Sequence, residues 1–317
     1  MTVNRIAVVG AGYMGGGIAQ EFAIAGYPVV LADIDADAAR RNLARLLAEA
    51  RDWEKRGLFK PGDADSVARN LSAAESIEQA VADADYIQEA VPEKPEIKHP
   101  VLARIEAAAR RDAIIASNTS TLPITGLATA LQHSDRFLGV HFSNPAPFIP
   151  GVEIIVHPGT DAGLVPAVEE LVAETGKLTA RLKDSPGFVL NRLQYALLKE
   201  AISIVDDGVA SAEDVDIITR TTFGFRLPFF GPFAIADMAG LDVYRDCFRT
   251  FEENYGDRFA TPSGLKELVD NGHLGTKSGG GFVIPAGDTT GLIAYRNTAY
   301  ARLQQLLGEL GQAPGVK

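Results

Sequence analysis

Cysteine is nearly absent: Cys247 is the only one in 317 residues. A lone thiol excludes an intrachain disulfide, so a reducing compartment fits the chain. Basic residues are outnumbered, 30 Lys and Arg against 41 Asp and Glu, for a formal net charge of −11. That balance disfavours nucleic acid or an anionic membrane as the main partner, because both are polyanions. It leaves room for a small anionic ligand, which needs only a local basic patch. No apolar run is long enough to span a bilayer. Met1 to Gly10 leads straight into a strand pattern with no basic n-region and no cleavage site, so no signal peptide is expected. There is no internal repeat and no low-complexity segment. What remains, 46% hydrophobic and 22% charged residues, is the composition of a globular protein long enough for two domains with cores. A cytoplasmic protein is the resulting expectation.

Arg5 to Val9 is a short apolar run that reads as a strand buried on both faces. Gly10-Ala11-Gly12-Tyr13-Met14-Gly15 follows at once, and Ile18 to Ala23 then has helical spacing. A G-x-G-x-x-G between a strand and a helix is a dinucleotide-binding pattern with a physical basis. Gly10 permits the tight turn, Gly12 lets backbone approach a pyrophosphate, and Gly15 lets the helix pack closely. The phosphates would meet free N–H groups and the positive end of the helix dipole. A second strand, Pro28 to Ala32, ends at Asp33, whose carboxylate can accept from both ribose hydroxyls and would repel a 2′-phosphate. NAD is therefore expected over NADP.

Further strands are expected at 86–91, 113–116, 137–140 and 152–156, with helices at 36–56 and 97–110. This alternation predicts an α/β fold with a Rossmann-type, doubly wound parallel sheet. Glu93 and Lys98 fall at the C-terminal rim, where open α/β sheets bind ligands. Ser117 to Thr121 is a polar run that could cap a helix or bind a substrate oxygen. His141 closes one strand and Glu153 stands near the start of the next; an imidazole beside a carboxylate can serve as a general base near neutral pH. A helix at 163–175 and a strand at 178–182 precede a boundary near Asp184. Residues 1–184 are thus expected to form the nucleotide domain. Residues 185–317 form a mostly α-helical second domain, with Leu190, Leu193, Leu197, Ala201 and Ile204 available for a core. A strand at Gly281 to Ile284 and an amphipathic helix at 291–310 complete the pattern. Wide apolar helical faces suggest a homodimer.

Six motifs in order resemble the 3-hydroxyacyl-CoA dehydrogenase family: the glycine loop, Ser117-Asn118-Thr119-Ser120, His141-Phe142-Ser143-Asn144-Pro145, Pro186 to Arg192, Gly231-Pro232-Phe233, and Gly275 to Phe282. The resemblance runs to about Val283. It implies a catalytic set of His141, Glu153, Ser120, Asn191 and Asn144. His141 would be the base that takes the hydroxyl proton, Glu153 its partner, Ser120 and Asn191 the donors to the reacting oxygen, and Asn144 a group that places substrate and nicotinamide. Gly10, Ala11, Gly12, Tyr13, Met14, Gly15 and Asp33 would hold the adenosine half of NAD. Glu93, Lys98, Asn144 and Lys277 match further cofactor contacts. No residue is assigned to a metal.

Departures from the fatty-acid pattern leave the substrate open. Ser143 follows His-Phe where Phe is usual, and Phe148-Ile149-Pro150-Gly151 replaces an aliphatic-Met-Lys-Leu run. Residues 187–196 look more like the lambda-crystallin (L-gulonate 3-dehydrogenase) branch, which also holds dehydrogenases of carnitine and of pyridoxine catabolites. Glu49 stands where a CoA phosphate would meet a negative charge, with Arg56 nearby. The readings are thus an NAD-dependent oxidoreductase acting on a small-molecule secondary alcohol β to a thioester, the same chemistry on a free hydroxy acid, or a non-catalytic NAD-binding structural protein. A 3-hydroxyisobutyrate-type enzyme would instead need a catalytic Lys, and the first on the helix after Pro186 is Lys199.

Overall fold

The computed structural model describes residues 3–314 and divides into two compact units, residues 1–196 and 197–317. The first is an eight-stranded sheet in the order β3-β2-β1-β4-β5-β6-β7-β8. The strands are β1 (Ile6–Val9), β2 (Val29–Ala32), β3 (Leu71–Ala73), β4 (Tyr86–Glu89), β5 (Ile114–Ser117), β6 (Phe137–Phe142), β7 (Gly151–Val156) and β8 (Leu178–Lys183). β1, β4 and β5 are buried along their whole length, as expected of strands covered on both faces. Alternation assigns each residue to a face. Ile6 and Val8 enter one core cluster with Phe22, Leu31 and Leu46; Ala7 and Val9 enter the other with Ile87, Leu102 and Ile115.

Helices cover both faces: α1 (Tyr13–Ile24), α2 (Ala36–Lys55), α3 (Asp63–Asn70), α4 (Ile77–Val81), α5 (Pro95–Ala108), α6 (Ile124–Ala128) and α7 (Val165–Ala173). Asp35 caps α2, its carboxylate accepting the Ala38 N–H. α2 then buries Ala39, Leu46 and Ala50 at helical spacing. Two features of this first unit depart from the sequence reading. Residues 63–81 add α3, β3 and α4, which are too short to show a period. β7 runs antiparallel to β6 and β8 follows it in parallel, so the sheet is parallel except at that pairing. The loop at 143–150 is too short for a crossover helix, so the chain can only turn back.

The second unit begins within α8 (Leu190–Asp206) and is helical: α9 (Ala212–Ile218), a π-turn into α10 (Gly224–Arg226), α11 (Pro232–Ala239), α12 (Leu241–Tyr255), α13 (Ser263–Asp270) and α14 (Thr290–Leu310). A small core joins Ala236, Leu241, Leu265 and Val269. The expected strand at Gly281 to Ile284 is a loop. Its N–H groups at Phe282, Val283 and Ile284 all donate to the buried Asp237 carboxylate, each at 2.9 Å, and so are withdrawn from any sheet ladder. Leu193 and Leu197 of α8, expected in a core, are exposed, as are Leu306, Leu307 and Leu310 of α14. Among the described residues, no helix is long and apolar enough to cross a membrane.

Candidate active site

The reversal of β7 sets His141 directly opposite Glu153 in the strand register. His141 Nδ1 lies 2.8 Å from Glu153 Oε2, and both residues are buried. A carboxylate can only accept, so Nδ1 carries the proton and the Nε2 lone pair is left free. Glu153 Oε1 accepts the Val189 and Leu190 N–H groups, both at 2.9 Å, at the N-terminus of α8. Burial pushes the Glu153 carboxyl up. The His141 hydrogen bond and the Leu190 and Val189 N–H groups outweigh it and hold the carboxyl below its usual range.

Asn191, one residue into α8, donates Nδ2–H to the Ser120 carbonyl at 2.8 Å. Ser120 N–H donates to Glu93 Oε1 at 2.8 Å, as do the Thr119 hydroxyl at 2.7 Å and Thr121 N–H at 2.9 Å. Burial raises the Glu93 carboxyl, but these donors and the Lys98 charge bring it below the usual range. One connected set of bonds therefore runs from His141 through Glu153 and α8 to the Ser120 loop. Asn118 adds a second link, its Oδ1 accepting the Phe142 N–H at 2.8 Å. Phe188 holds a left-handed φ of 50° and sets its ring centroid 5.8 Å from that of His141. Such a backbone costs a non-glycine residue roughly 1–2 kcal/mol and clusters at functional sites.

A cavity of about 620 Å³ opens at the C-terminal rim. Its wall includes Gly10, Gly12, Met14, Asp33, Glu93 and Ser120 from the expected set. A Cβ on Gly12 would meet no protein atom within 4 Å, whereas one on Gly15 would lie 1.9 Å from the Gly10 carbonyl oxygen. Gly12 thus leaves space beside the loop, and Gly15 serves packing. α1 begins without a side-chain cap and without an acid in its first turn, so its N–H groups are available to an anion. These residues fit a dinucleotide.

Other expected residues stand apart. Ala11 is buried in the loop and Tyr13 is exposed at the start of α1. Lys98 lies beneath the rim, 1% exposed, with Nζ 2.8 Å from Glu89 Oε1, 3.1 Å from the Val91 carbonyl and 3.4 Å from Glu93. Asn144 is exposed in the loop after β6. That loop is fixed by Lys177 Nζ, which donates to the Ala146 carbonyl at 2.7 Å and the Ile149 carbonyl at 3.1 Å, and by Phe148 against Trp53. Lys277 belongs to the second unit, 2.8 Å from Asp242, and Lys199 is exposed on α8. The sequence singled out Lys98 but gave no signal for its burial against Glu89, nor for the positive φ of Phe188. Asn118 did, lying in the polar run after β5.

A model of the 3-hydroxyacyl-CoA dehydrogenase NAD-binding domain matches residues 5–185, and one of that family's C-terminal domain matches 187–284. The chain belongs to the 3-hydroxyacyl-CoA dehydrogenase family. Like its relatives it is an NAD-dependent oxidoreductase. A 3-hydroxybutyryl-CoA dehydrogenase of Bradyrhizobium diazoefficiens is 35% identical over 88% of this chain and 94% of its own. A 5-formyl-3-hydroxy-2-methylpyridine 4-carboxylate 5-dehydrogenase of Mesorhizobium japonicum is 33% identical over 96% of this chain and 98% of its own. The crystal structure of a 3-hydroxyacyl-CoA dehydrogenase from Archaeoglobus fulgidus superposes with a TM-score of 0.80, at 30% identity, over 96% of this chain and 99% of that one.

Proposed function

We propose that this family member oxidises a secondary alcohol β to a thioester carbonyl, with His141 as general base. The observation that carries the base is the buried His141–Glu153 pair, anchored on the first N–H groups of α8; the likeness to 3-hydroxybutyryl-CoA and 3-hydroxyacyl-CoA dehydrogenases supports the thioester. His141 Nε2 takes the hydroxyl proton, and the charged Glu153 stabilises the imidazolium that results. The Ser120 hydroxyl and the second N–H of Asn191 donate to the oxygen as it becomes a carbonyl. Bound NAD supplies the hydride acceptor. Gly10, Ala11, Gly12, Tyr13, Met14 and Gly15 hold its phosphates and Asp33 its ribose. Asn144 places substrate and nicotinamide, and Glu93 is a further cofactor contact, with Lys98 acting from below by fixing Glu93.

A second reading replaces the thioester with a free carboxylate. It is supported by the near full-length match to the pyridine-carboxylate dehydrogenase, which covers more of this chain than the hydroxybutyryl-CoA relative does, and by Ser143 and Phe148–Gly151 at the turn after His141. Initial rates with NAD and 3-hydroxybutyryl-CoA, free 3-hydroxybutyrate, L-gulonate and carnitine test both. Turnover of the CoA ester alone supports the first reading, and turnover of a free acid alone eliminates it. The exposed apolar residues Leu197, Leu198 and Ile202 of α8 and Ile217 and Ile218 of α9 support a homodimer. The single cysteine supports a cytoplasmic setting.

A further inference from the structure

The three consecutive glycines at 15–17 exceed what the dinucleotide fingerprint needs, and the structure gives the middle one a separate purpose. A Cβ on Gly16 would lie 3.0 Å from Arg45 Nη2 and 2.8 Å from Leu46 Cδ2. Gly16 therefore leaves room for a guanidinium reaching from α2 to the glycine loop. Arg45 Nη2 donates to the Ala11 carbonyl at 3.2 Å and the Gly12 carbonyl at 3.3 Å. Its Nε and Nη2 both reach Asn42 Oδ1 at 3.3 Å. Its Nη1 forks onto Glu49, 2.9 Å from each oxygen. Asn42 in turn donates Nδ2–H to Asp33 Oδ2 at 3.0 Å, an oxygen that also accepts the Ala11 N–H at 3.0 Å. Asp33 Oδ1 accepts the Ile34 N–H at 2.7 Å.

A carboxylate has about four acceptor positions, and three N–H groups already occupy Asp33. Its Oδ2 is saturated, which leaves one position on Oδ1, room for one ribose hydroxyl rather than the two expected from the sequence. Without Asn42 only one backbone N–H remains on each oxygen, from Ala11 and Ile34, and the carboxylate loses its side-chain anchor to α2. Arg45 sets Asn42 by occupying its carbonyl oxygen, so the amide can present only N–H to Asp33.

We propose that Asn42 and Arg45 are positioning residues of the dinucleotide site. Asn42 fixes the Asp33 carboxylate that discriminates the adenosine ribose from its 2′-phosphate, and Arg45 fastens both Asn42 and the carbonyl side of the glycine loop to α2. This rests on the assignment of Asp33 to the ribose. Lys cannot replace Arg45, because one ammonium point charge cannot span the carbonyls, Asn42 and Glu49 at once.

The test is calorimetric titration of wild type, D33A, N42A and R45K with NADH and with NADPH. Energy transfer from Trp53, the only tryptophan, to bound NADH gives a second readout. N42A should weaken NADH by up to about tenfold, the ordering cost of one side chain no longer preorganised, and leave NADPH nearly unchanged, so that the preference for NADH narrows. R45K should weaken both cofactors and narrow the preference too. Melting curves identify any variant that fails to fold; N42S then replaces N42A with the same expectation. Wild-type affinity and preference in N42A (or N42S) and R45K, with D33A impaired, overturn the proposal and spare the Asp33 assignment. An unimpaired D33A overturns both.

Discussion

Glu153 meets His141 across the one antiparallel pairing of the sheet, Oε2 to Nδ1 at 2.8 Å. The reversal matters chemically. β6 delivers His141 at its C-terminal end, the ligand-binding rim of a parallel sheet. A parallel neighbour would bring its own C-terminal end there. The antiparallel β7 brings its start instead, so Glu153 arrives while the N-terminus of α8 is close enough to take its other oxygen.

If His141 is the base, His141→Ala should lower kcat by about 10³-fold while NADH affinity stays at the wild-type value, since His141 does not line the cavity at the glycine loop. Steady-state rates and NADH titration of the same preparation check this. Retention of more than about a tenth of kcat would sink the role, as the loss of a general base is larger than that. Lys199→Ala, on an exposed face of α8, should leave kcat intact.

Glu153 also gives a pH dependence of stability. Its folded carboxyl sits below its ordinary value of 4.5, so the unfolded chain binds the proton more readily. The stability it contributes is therefore present above about pH 4.5 and is lost as pH falls through the lower, folded value. The difference in Tm between wild type and Glu153→Gln should be largest near neutrality and should shrink on acidification through that range. Melting both proteins at a series of pH values checks it; a gap that widens toward acid contradicts the assignment.

Much of the geometry of this candidate site was legible because it is carried by short, local patterns. Gly10 to Gly15 sits between a strand and a helix, and the His141–Glu153 separation follows from two strands and a tight connection. The direction of β7 was not legible, because an apolar run of six residues reads the same in either sense. Nor was the Gly281 to Ile284 loop. Its apolar character imitates a strand, and only the distant Asp237 takes its N–H groups. Arg45 and Asn42 carry no sequence signal either, since their distance to the glycine loop is set by how α2 packs on α1. The core expected on α8 failed for a related reason. Helical period marks an apolar face, but it does not say whether the same chain covers it.

Asp237 should behave as a structural residue. It is fully buried and accepts three backbone N–H groups. A Cβ on Gly281 would lie 2.1 Å from its Oδ1. Asp237→Ala strips the acceptor from all three donors and should cost about 3 kcal/mol, less than three separate bonds because loop N–H groups partly recover water. Gly281→Ala should destabilise by forcing the loop off the carboxylate. Urea denaturation measures both, and a change below about 0.5 kcal/mol in Asp237→Ala, the range of ordinary surface substitutions, would contradict the role.

Gly12 and Gly15 should separate ligand from fold. Gly12 has a negative φ of −61° and a Cβ there would touch no protein atom, so Gly12→Ala should fold with a Tm close to wild type. The added methyl stands in the space beside the uncapped start of α1, the proposed phosphate site, and should weaken NADH about tenfold or more by crowding the loop. Gly15→Ala must displace the Gly10 carbonyl, 1.9 Å from the new atom. Its cost falls on the fold, about 1–3 kcal/mol as for other overpacked sites, and it should appear as a lower Tm without ligand present. Melting curves with and without NADH distinguish the two. If Gly12→Ala binds NADH as tightly as wild type, the dinucleotide does not approach the loop there, and the phosphate assignment fails while the packing role of Gly15 stands.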